Sequence, residues 1–380
     1  MPALTATFST SSFFPMMKFP MELLAAIAAE LTVDDLSNFR LTARLFARAG
    51  LSLVPQHGIS ILHTTQDMKA FLRLLQCADI TNNIKTLRIF HAEWPISSRR
   101  QWEARRRPPV SENSAHQTTI VKNCSGISEE DEYLKEIMQH LPNLQKVIVS
   151  SAYNLLWDAT KKPPRLNHTI QSCSFPSNEV SRSVESVLLA LGPNMLWLKS
   201  LSILGYFNPD MMTVANPFSL SYVQSLHVKD FRVTRNEAHI HQFLTCFQNV
   251  QKLDISYKSW GPSPNTLDLI YWPSLRSLKI NGLWTSEQDF FDAFFRHERT
   301  LSDFNLHNCA LTEGSWRGLF TRLREIQSYA SITGSGELYG RSSEETIDMN
   351  LPMSRKSLSD FMGKPSINWP FGNLNVINLL

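Results

Sequence analysis

The sequence has little net charge and no long apolar run. Its 380 residues carry 37 Lys and Arg against 34 Asp and Glu, a formal net charge of +3, which is too small to indicate a nucleic-acid or membrane partner from bulk electrostatics. No apolar segment approaches the roughly 20 residues that a membrane-spanning helix needs. With 43% hydrophobic residues, the composition is nevertheless that of a globular protein with one large core, or with one small and one large domain.

Cysteine is scarce, and the spacing of the cysteines shows no pairing. The five are odd in number and form no CxxC pair that would suggest zinc or a redox dithiol; they are Cys77, Cys124, Cys173, Cys246 and Cys309. We therefore expect reduced thiols and a cytoplasmic protein. The first seventeen residues carry no charged side chain, which argues against a secretory signal or a mitochondrial transit peptide. We expect residues 1–17 to be disordered.

Motifs that carry catalysis are also missing. The chain has no GxSxG, no HExxH and no Walker loop. Gly-Ser-Gly at 334–336 with Gly340 misses the dinucleotide-binding spacing by one residue, and we predict a flexible loop there. His239 and His241 have no third ligand nearby, so we interpret them as a surface pair. We expect no enzymatic activity, no metal and no cofactor.

What the sequence does contain is a stretch, residues 19–50, with the start and stop signals of three short helices. Pro20 suits the first position of a helix, and Glu22 places negative charge at the positive end of the helix dipole. Apolar side chains then recur at helical spacing with small alanines between them, which predicts a wide apolar surface. These apolar residues are Leu23, Leu24, Ile27 and Leu31.

Capping patterns predict the second and third helices of this stretch. Thr32 with Asp35 forms a capping-box pattern, Thr42 is the predicted cap of the third helix, and Gly50 is its predicted left-handed stop. A unit this small rarely folds alone without disulfides or metal, so its remaining apolar surface needs a partner or the rest of the chain. The apolar residues of the two helices are Leu36, Phe39, Leu41 and Phe46, the last two placed as a hydrophobic staple.

The same residues resemble a known family motif, the F-box. The resemblance implies that residues 18–55 bind the small adaptor subunit of SCF-type cullin-RING ubiquitin ligases and, through it, a cullin. Phe19 stands where Leu is usual and Phe46 where Trp is common, both apolar replacements. The matching residues are Phe19-Pro20-Met21-Glu22-Leu23-Leu24, Ile27, Leu31, Asp35-Leu36, Arg40-Leu41-Thr42, Arg44 and Phe46. The implied adaptor contacts are Phe19, Pro20, Leu23, Leu24, Ile27, Leu31 and Leu36.

From residue 60 onward the pattern L-x-x-L-x-L repeats. From Leu198 the starts advance by 25, 27, 25 and 26 residues, a period typical of leucine-rich repeats, each of which supplies one strand and one helix. We therefore interpret the chain as α/β: a short N-terminal three-helix F-box, then an irregular leucine-rich-repeat solenoid over residues 56–332, with parallel strands and outer helices. The matches begin at Ile84, Leu144, Leu198, Val223, Val250, Leu275 and Leu301, with a weaker one at Leu323.

Helices are predicted between these strands. Val184, Val187, Leu188 and Leu191 have helical spacing, as do Ile240, Phe243, Leu244 and Phe247. Ser286 with Asp289 is a capping signal before a run of phenylalanines. Cys309 takes the inward Asn or Cys position of its repeat, so we expect it to be buried.

The start-to-start gaps before Leu144 and Leu198 are about twice the repeat period, so each contains a missed repeat or an insertion. We favour a polar insertion near 95–128 in the first gap, because this segment is charged and poor in aliphatic residues. Its arginine run, 99–107, would also fit nuclear import or nucleic-acid binding. Acidic residues at 129–132 neutralise that run locally, so the nucleus is a second expected location and nucleic acid is not an expected partner.

Polar residues alternate with the inward leucines along the predicted strands, so we expect them on the exposed strand side. Tyr257, Trp260 and Trp284 follow strands and are either anchors at a binding rim or packing between repeats. The residues expected on this side include Ser200, Ser202, Ser225, His227, Ser256, Ser277 and Asp303. The candidate substrate-binding residues are Lys229, Lys252, Asp254, Tyr257, Lys279, Asn281, Asn305 and His307.

Residues 333–380 are expected to form a loop and a C-terminal capping segment, in which Trp369, Phe371, Leu374, Val376 and Ile377 cover the last repeat. The whole order predicts the substrate-recognition subunit of an SCF-type ubiquitin ligase, with an unknown protein substrate and no chemistry of its own. The alternative is a leucine-rich-repeat interaction scaffold without ligase association. In that case the N-terminal helices are a cap, and residues 23–31 are buried against residues 59–75.

Overall fold

A computed structural model gives the fold of the chain. It describes residues 20–31, 33–42, 58–91, 129–151, 180–191, 197–209, 220–232, 237–258, 270–326, 331–341 and 346–371, together with Phe46, Ala49, Gly50, Leu53, Met195 and Met212. The N-terminal segment expected to be disordered, the insertion predicted near 95–128, Phe19, Thr32, Trp260 and the apolar residues after Phe371 lie outside the described residues.

Helices and strands alternate through most of the chain. The helices are α1 Met21–Ala29, α2 Val33–Thr42, α3 Thr65–Leu74, α4 Ala78–Thr81, α5 Glu129–Gln139, α6 Ser181–Ala190, α7 Glu237–Thr245, α8 Glu287–Phe295, α9 Trp316–Glu325 and α10 Pro352–Gly363. The strands are β1 Ile59–Leu62, β2 Thr86–His91, β3 Lys146–Ser151, β4 Ser200–Phe207, β5 Ser225–Phe231, β6 Lys252–Tyr257, β7 Ser277–Asn281, β8 Trp284–Thr285, β9 Asp303–His307, β10 Ala310–Leu311, β11 Ser331–Ser335, β12 Glu337–Leu338 and β13 Ile347–Asp348.

A single parallel sheet dominates the described part of the chain. Nine strands form it in the order β1-β2-β3-β4-β5-β6-β7-β9-β11, so successive long strands are always neighbours, and every pairing within it is parallel. The short strands β8 and β10 pair separately, as do β12 and β13. The prediction of an α/β chain with parallel strands and helices is confirmed.

The leucine pattern of the sequence sets the register of this sheet. Leu201, Leu226, Leu253, Leu278 and Phe304 are aligned across five neighbouring strands, and each is fully or almost fully buried. The weaker match at Leu323 was wrong, because Leu323 lies in α9 and the next strand is β11. Leu319, Phe320 and Leu323 are buried together there at helical spacing, which is the physical reason for the misreading.

The helices cover one side of the sheet. Apolar residues of α3, α5, α6, α8 and α9 belong to the same buried cluster as the inward residues of the strands. The predicted capping signal of α8 is confirmed: Ser286 Oγ accepts from the Asp289 backbone N–H at 3.1 Å, and Asp289 Oδ2 accepts from the Ser286 backbone N–H at 3.1 Å. Cys309 is fully buried, as expected, and burial raises the pKa of its thiol to about 12, which leaves it neutral and structural.

The far end of the sheet is closed by the C-terminal residues. Strand β11 spans the predicted boundary at residue 332, and Gly334 and Ser335 lie in this strand rather than in the predicted loop. Trp369 packs beside Phe320 and Phe361, with ring centroids 6.0 and 5.2 Å apart. These contacts cover apolar surface that the last strand and helix would otherwise expose.

The N-terminal helices form a small core of their own. Leu24, Phe46 and Ala49 make a buried cluster separate from the large one, with Met21 and Phe39 packed against it. Phe39 and Phe46 stack with their ring centroids 4.6 Å apart. Of the predicted third helix, the structure describes only Phe46 and Ala49 as helical.

Three predicted signals in this module were wrong. Leu41 is 84% exposed and the Phe46 ring stacks on Phe39 instead, so Leu41 and Phe46 do not form the predicted hydrophobic staple. Thr42 is the last residue of α2, and its hydroxyl donates to the Phe39 carbonyl at 2.6 Å, so it is not the N-cap of a third helix. Gly50 does not have a left-handed backbone. A Cβ at this position would lie 2.9 Å from Arg40 Cγ and 3.0 Å from Leu36 Cδ1, so glycine permits a close approach here rather than an unusual φ angle.

Candidate recognition surface

One side of the parallel sheet is not covered by helices of the described chain. Parallel sheets are usually buried on both sides and their strands are then continuously apolar, but here buried and partly exposed residues alternate along β5, β6, β7, β9 and β11. We call the outward side chains of these five strands the polar face. Its members are Ser225, His227, Lys229, Lys252, Asp254, Ser256, Ser277, Lys279, Asn281, Asp303, Asn305, His307, Ser331, Thr333 and Ser335.

The register places seven of the candidate substrate-binding residues on this face. His227, Asp254, Lys279, Asn305 and Thr333 are cross-strand neighbours in one row. Neighbouring members of such a row are separated by about 4.8 Å, the distance between strands. The seven candidates on the polar face are Lys229, Lys252, Asp254, Lys279, Asn281, Asn305 and His307.

Asp254 is the electrostatic centre of this row. Its Oδ2 lies 3.5 Å from Lys279 Nζ and 4.0 Å from His227 Nε2. Its Oδ1 is buried and accepts no hydrogen bond within the described structure. Partial burial lowers the pKa of His227, and nearby Lys279, Lys146 and Lys229 lower it further against the opposing effect of Asp254, so His227 is neutral at pH 7.

Hydrogen bonds between neighbouring strands orient the other end of the face. Asn308 Nδ2 donates to His307 Nε2 at 2.9 Å, which leaves His307 Nδ1–H to donate to Ser335 Oγ at 2.9 Å. Asn305 Nδ2 donates to Thr333 Oγ1 at 2.7 Å. Asn305 Oδ1 is a buried acceptor that receives no hydrogen bond from the described residues. The face therefore offers acceptors as well as cations.

Two residues predicted on the exposed side are buried. Tyr257 is only 7% exposed, and its ring contacts Phe231 with centroids 5.8 Å apart. Its inclusion as a substrate-binding residue was wrong, because alternation from the inward residues Leu253 and Ile255 directs Tyr257 inward as well. Ser202 is 6% exposed, so the accessible polar face begins at β5.

A basic group at the carboxyl ends of β4, β5 and β6 was missed by the sequence analysis. Lys258 Nζ lies 4.5 Å and Arg232 Cζ 5.6 Å from the centre of the Tyr206 ring, and Arg232 also donates a hydrogen bond to the Tyr206 hydroxyl. We call these three residues the edge cluster. Arg232 and Lys258 immediately follow the inward residues Phe231 and Tyr257, but register shifts near the ends of β4 and β5 interrupt the period of two, so the sequence carried no signal for this cluster.

A second polar group lies at the carboxyl ends of β1 and β2. Ser183 Oγ is 2.7 Å from His63 Nδ1 and 2.6 Å from His91 Nδ1. Burial lowers the pKa of His63 to about 4. Ser183 is fully buried and His91 is 3% exposed, while His63 is partly exposed, so the group joins α6 to two strands.

The structure places the implied adaptor contacts at different depths. Pro20 is exposed, Leu23 is 44% exposed, and Ile27 and Leu31 are partly exposed. Leu24 and Leu36 are 0% and 1% exposed. These two support the module from within and cannot touch a partner in this conformation.

A scan of protein-family models and a search of curated protein sequences gave no match to the chain. Among the described residues there is no cluster of His, Cys, Asp and Glu side chains suited to a metal ion. None of the helices that the structure describes combines the length and apolarity needed to cross a membrane. The polar face and the N-terminal module are therefore the features on which a functional argument rests.

Proposed function

We propose that this chain is a non-catalytic substrate-recognition subunit of an SCF-type cullin-RING ubiquitin ligase. In this proposal the N-terminal helices bind the adaptor subunit, which connects the chain to a cullin, and the sheet binds a protein substrate. The observation that carries the proposal is that α1 and α2 close a core of their own around Leu24, Phe46 and Ala49 and still leave Leu23 accessible.

The exposed apolar side chains of α1 favour a docking role. A cap for the first strand would bury its apolar residues in the large core, but no residue of α1 or α2 belongs to that cluster in the described structure. Leu23 is 44% exposed, and Ile27 and Leu31 remain partly accessible. Fully burying a Leu or Ile side chain contributes roughly 1.5 to 3 kcal/mol, so a partner that covers these residues gains substantial affinity.

We further propose that the sheet is a leucine-rich-repeat-like array that presents the substrate. The consecutive strand order and the aligned leucines support this reading. The mechanism is positional: the array holds a substrate while the N-terminal module holds the ligase, which raises the effective concentration of substrate lysines near a ubiquitin-charged enzyme. No residue of this chain takes part in the chemistry, and the product is a substrate marked for degradation in the cytoplasm or nucleus.

A protein-interaction scaffold without a ligase is the second candidate. Burial of Leu24 and Leu36 favours it, because two of the seven implied adaptor contacts are inside the module. In that case the polar face still binds a partner, and the exposed residues of α1 have another use. The two candidates differ in whether the isolated chain binds the SCF adaptor.

A pull-down of the intact chain with the purified adaptor subunit separates them. The test variant is Pro20→Ala, Leu23→Ala, Ile27→Ala, which removes accessible apolar groups and leaves the buried Leu24 in place. The matched control is Leu351→Ala, Met353→Ala, which removes exposed apolar groups, 49% and 78% exposed, at the opposite end of the chain. Circular dichroism checks that both variants stay folded.

The receptor proposal requires that the intact chain and the control variant retain the adaptor and that the test variant loses it. If the folded, intact chain does not bind the adaptor, the receptor proposal fails and the scaffold remains. Equal loss in the control variant would show non-specific apolar adhesion and would also reject the proposed docking surface.

A further inference from the structure

The polar face has an excess of unpaired cations. Lys229 and Lys252 on this face, and Lys146 at the start of β3, form no ion pair within the described part of the chain. Lys279 shares Asp254 with His227, and Asp303 accepts a hydrogen bond from Ser277 Oγ at 2.9 Å. Four lysines thus stand against three carboxylates in this part of the sheet, because the partly exposed Asp230 follows Lys229 in β5.

The edge cluster adds two further cations. Arg232 and Lys258 are both exposed, both contact the Tyr206 ring, and neither is paired with a carboxylate among the described residues. Two like charges gathered around one side chain repel each other. An anion placed between them would relieve that repulsion and would also accept a hydrogen bond.

Backbone register makes the edge cluster continuous with the polar face. Phe207 pairs with Phe231, and Phe231 pairs with Tyr257, and all three point into the core. The residues next to them along each strand, Tyr206, Arg232 and Lys258, therefore point to the opposite side, which is the side of Lys229. A ligand lying on the polar face reaches the edge cluster without leaving the sheet.

We propose that the polar face and the edge cluster together bind an acidic peptide segment, with one of its carboxylates held between Arg232 and Lys258. This inference rests on the proposed function and names the class of substrate that the array would recognise. Charge complementarity carries it, because the surplus lysines lie on one accessible surface and the arginine offers a fork of donors that fits a carboxylate.

The acceptors on the same surface favour a peptide over a nucleic acid. Asp254 and Asp303 lie among the lysines and are partly exposed acceptors. The backbone N–H groups of a peptide can donate to these carboxylates and to the other accessible acceptors of the face. The phosphates and sugars of a DNA backbone have no corresponding donors.

Fluorescence anisotropy with the full chain tests the proposal. The probe is a fluorescein-labelled short polyglutamate peptide, and the competing ligand is an oligothymidylate of similar charge. The test variant is Arg232→Gln, Lys258→Gln. The matched control, Arg73→Gln, Lys135→Gln, removes the same charges from exposed positions on α3 and α5. A second test variant, Lys229→Gln, Lys252→Gln, replaces the first if the first does not fold.

We expect the intact chain and the control to bind polyglutamate and the test variant to bind at least about tenfold more weakly, as expected for lost hydrogen bonds to charged groups. No binding of polyglutamate by the intact chain, an equal loss in the control, or tighter binding of oligothymidylate that the test variant loses would each overturn the proposal. The adaptor is absent from this assay. If the chain binds the adaptor but not polyglutamate, only the acidic substrate is rejected. If the chain binds polyglutamate but not the adaptor, only the ligase role is rejected.

Discussion

At the scale of single residues, His297 has a defined proton position. Its Nδ1 lies 2.9 Å from the Ala293 carbonyl oxygen, so Nδ1 carries the proton and donates it. Its Nε2 accepts from the Trp272 backbone N–H at 3.1 Å. Protonating Nε2 would set one donor against another, and burial likewise lowers the pKa of His297. This histidine therefore joins α8 to the segment before β7 only in its neutral form.

We expect His297→Ala to lower the free energy of unfolding by about 1 to 3 kcal/mol at pH 7, because the buried Trp272 N–H loses its acceptor. The pKa of His297 in the folded protein lies below the ordinary value, so the unfolded chain takes up the proton first as the pH falls below about 6.5. The free energy of unfolding of the wild type therefore decreases as the pH falls. The variant should lose less stability than the wild type between pH 7 and pH 5. Urea unfolding at several pH values measures both effects.

His140→Ala is the matched control for this prediction. His140 also contacts a helix carbonyl, with Nδ1 2.8 Å from the Glu136 oxygen, but it is exposed. Its replacement should change the stability by less than about 0.5 kcal/mol. Equal losses for the two variants, or an unchanged pH slope in His297→Ala, would contradict the assigned proton position.

At the scale of elements, Gly314 fixes how α9 follows β10. Its φ angle is +85°, and a Cβ there would lie 2.4 Å from Glu287 Cβ. Glu287 Oε2 accepts from the Ser315 backbone N–H at 2.8 Å, and its other carboxylate oxygen, Oε1, lies 3.6 Å from an Arg322 nitrogen. Space for the glutamate and a left-handed backbone are both required at this one residue.

We expect Gly314→Ala to destabilise the protein by about 2 kcal/mol, because the variant is strained and displaces Glu287. Gly363→Ala is the control, since nothing lies within 4 Å of a Cβ at that position. It should leave the stability unchanged or raise it by less than about 1 kcal/mol. Thermal unfolding of both variants measures the change in stability. A Gly314→Ala protein as stable as the wild type would contradict this prediction.

Elements set by local patterns were predictable from the sequence, and those set by long-range contacts were not. The alternation around Leu253 and Ile255 predicted β6, and the Ser286 and Asp289 pair predicted the start of α8, because both signals lie within a few residues. A three-residue spacing of apolar side chains occurs both in helices and in the L-x-x-L repeat, so the sequence alone did not show whether Leu323 lies in a helix or in a strand. Gly50 permits the close approach of the Arg40 and Leu36 side chains, and this proximity arises only when the module folds.

At the scale of the whole molecule, the candidate surface was predictable where the strands are regular. Lys252, Asp254 and Lys279 follow the period of two and lie on the polar face. Register shifts near the ends of β4 and β5 bring Tyr206, Arg232 and Lys258 together, and no sequence spacing encodes those shifts. The edge cluster could therefore be identified only from the structure.

The two surfaces lie on separate parts of the chain, which is what a receptor that joins a ligase to a substrate requires. Leu23 belongs to a module with its own core, and Lys252 belongs to the sheet. Neither surface shares a residue with the other. Binding at one surface should therefore leave the affinity of the other unchanged.

Calorimetric titration of the intact chain with the purified adaptor, alone and with saturating polyglutamate, measures whether the two surfaces bind independently. We expect a one-to-one complex whose Kd is the same under both conditions. Absence of a binding heat with the adaptor, or displacement of the adaptor by the peptide, would contradict it.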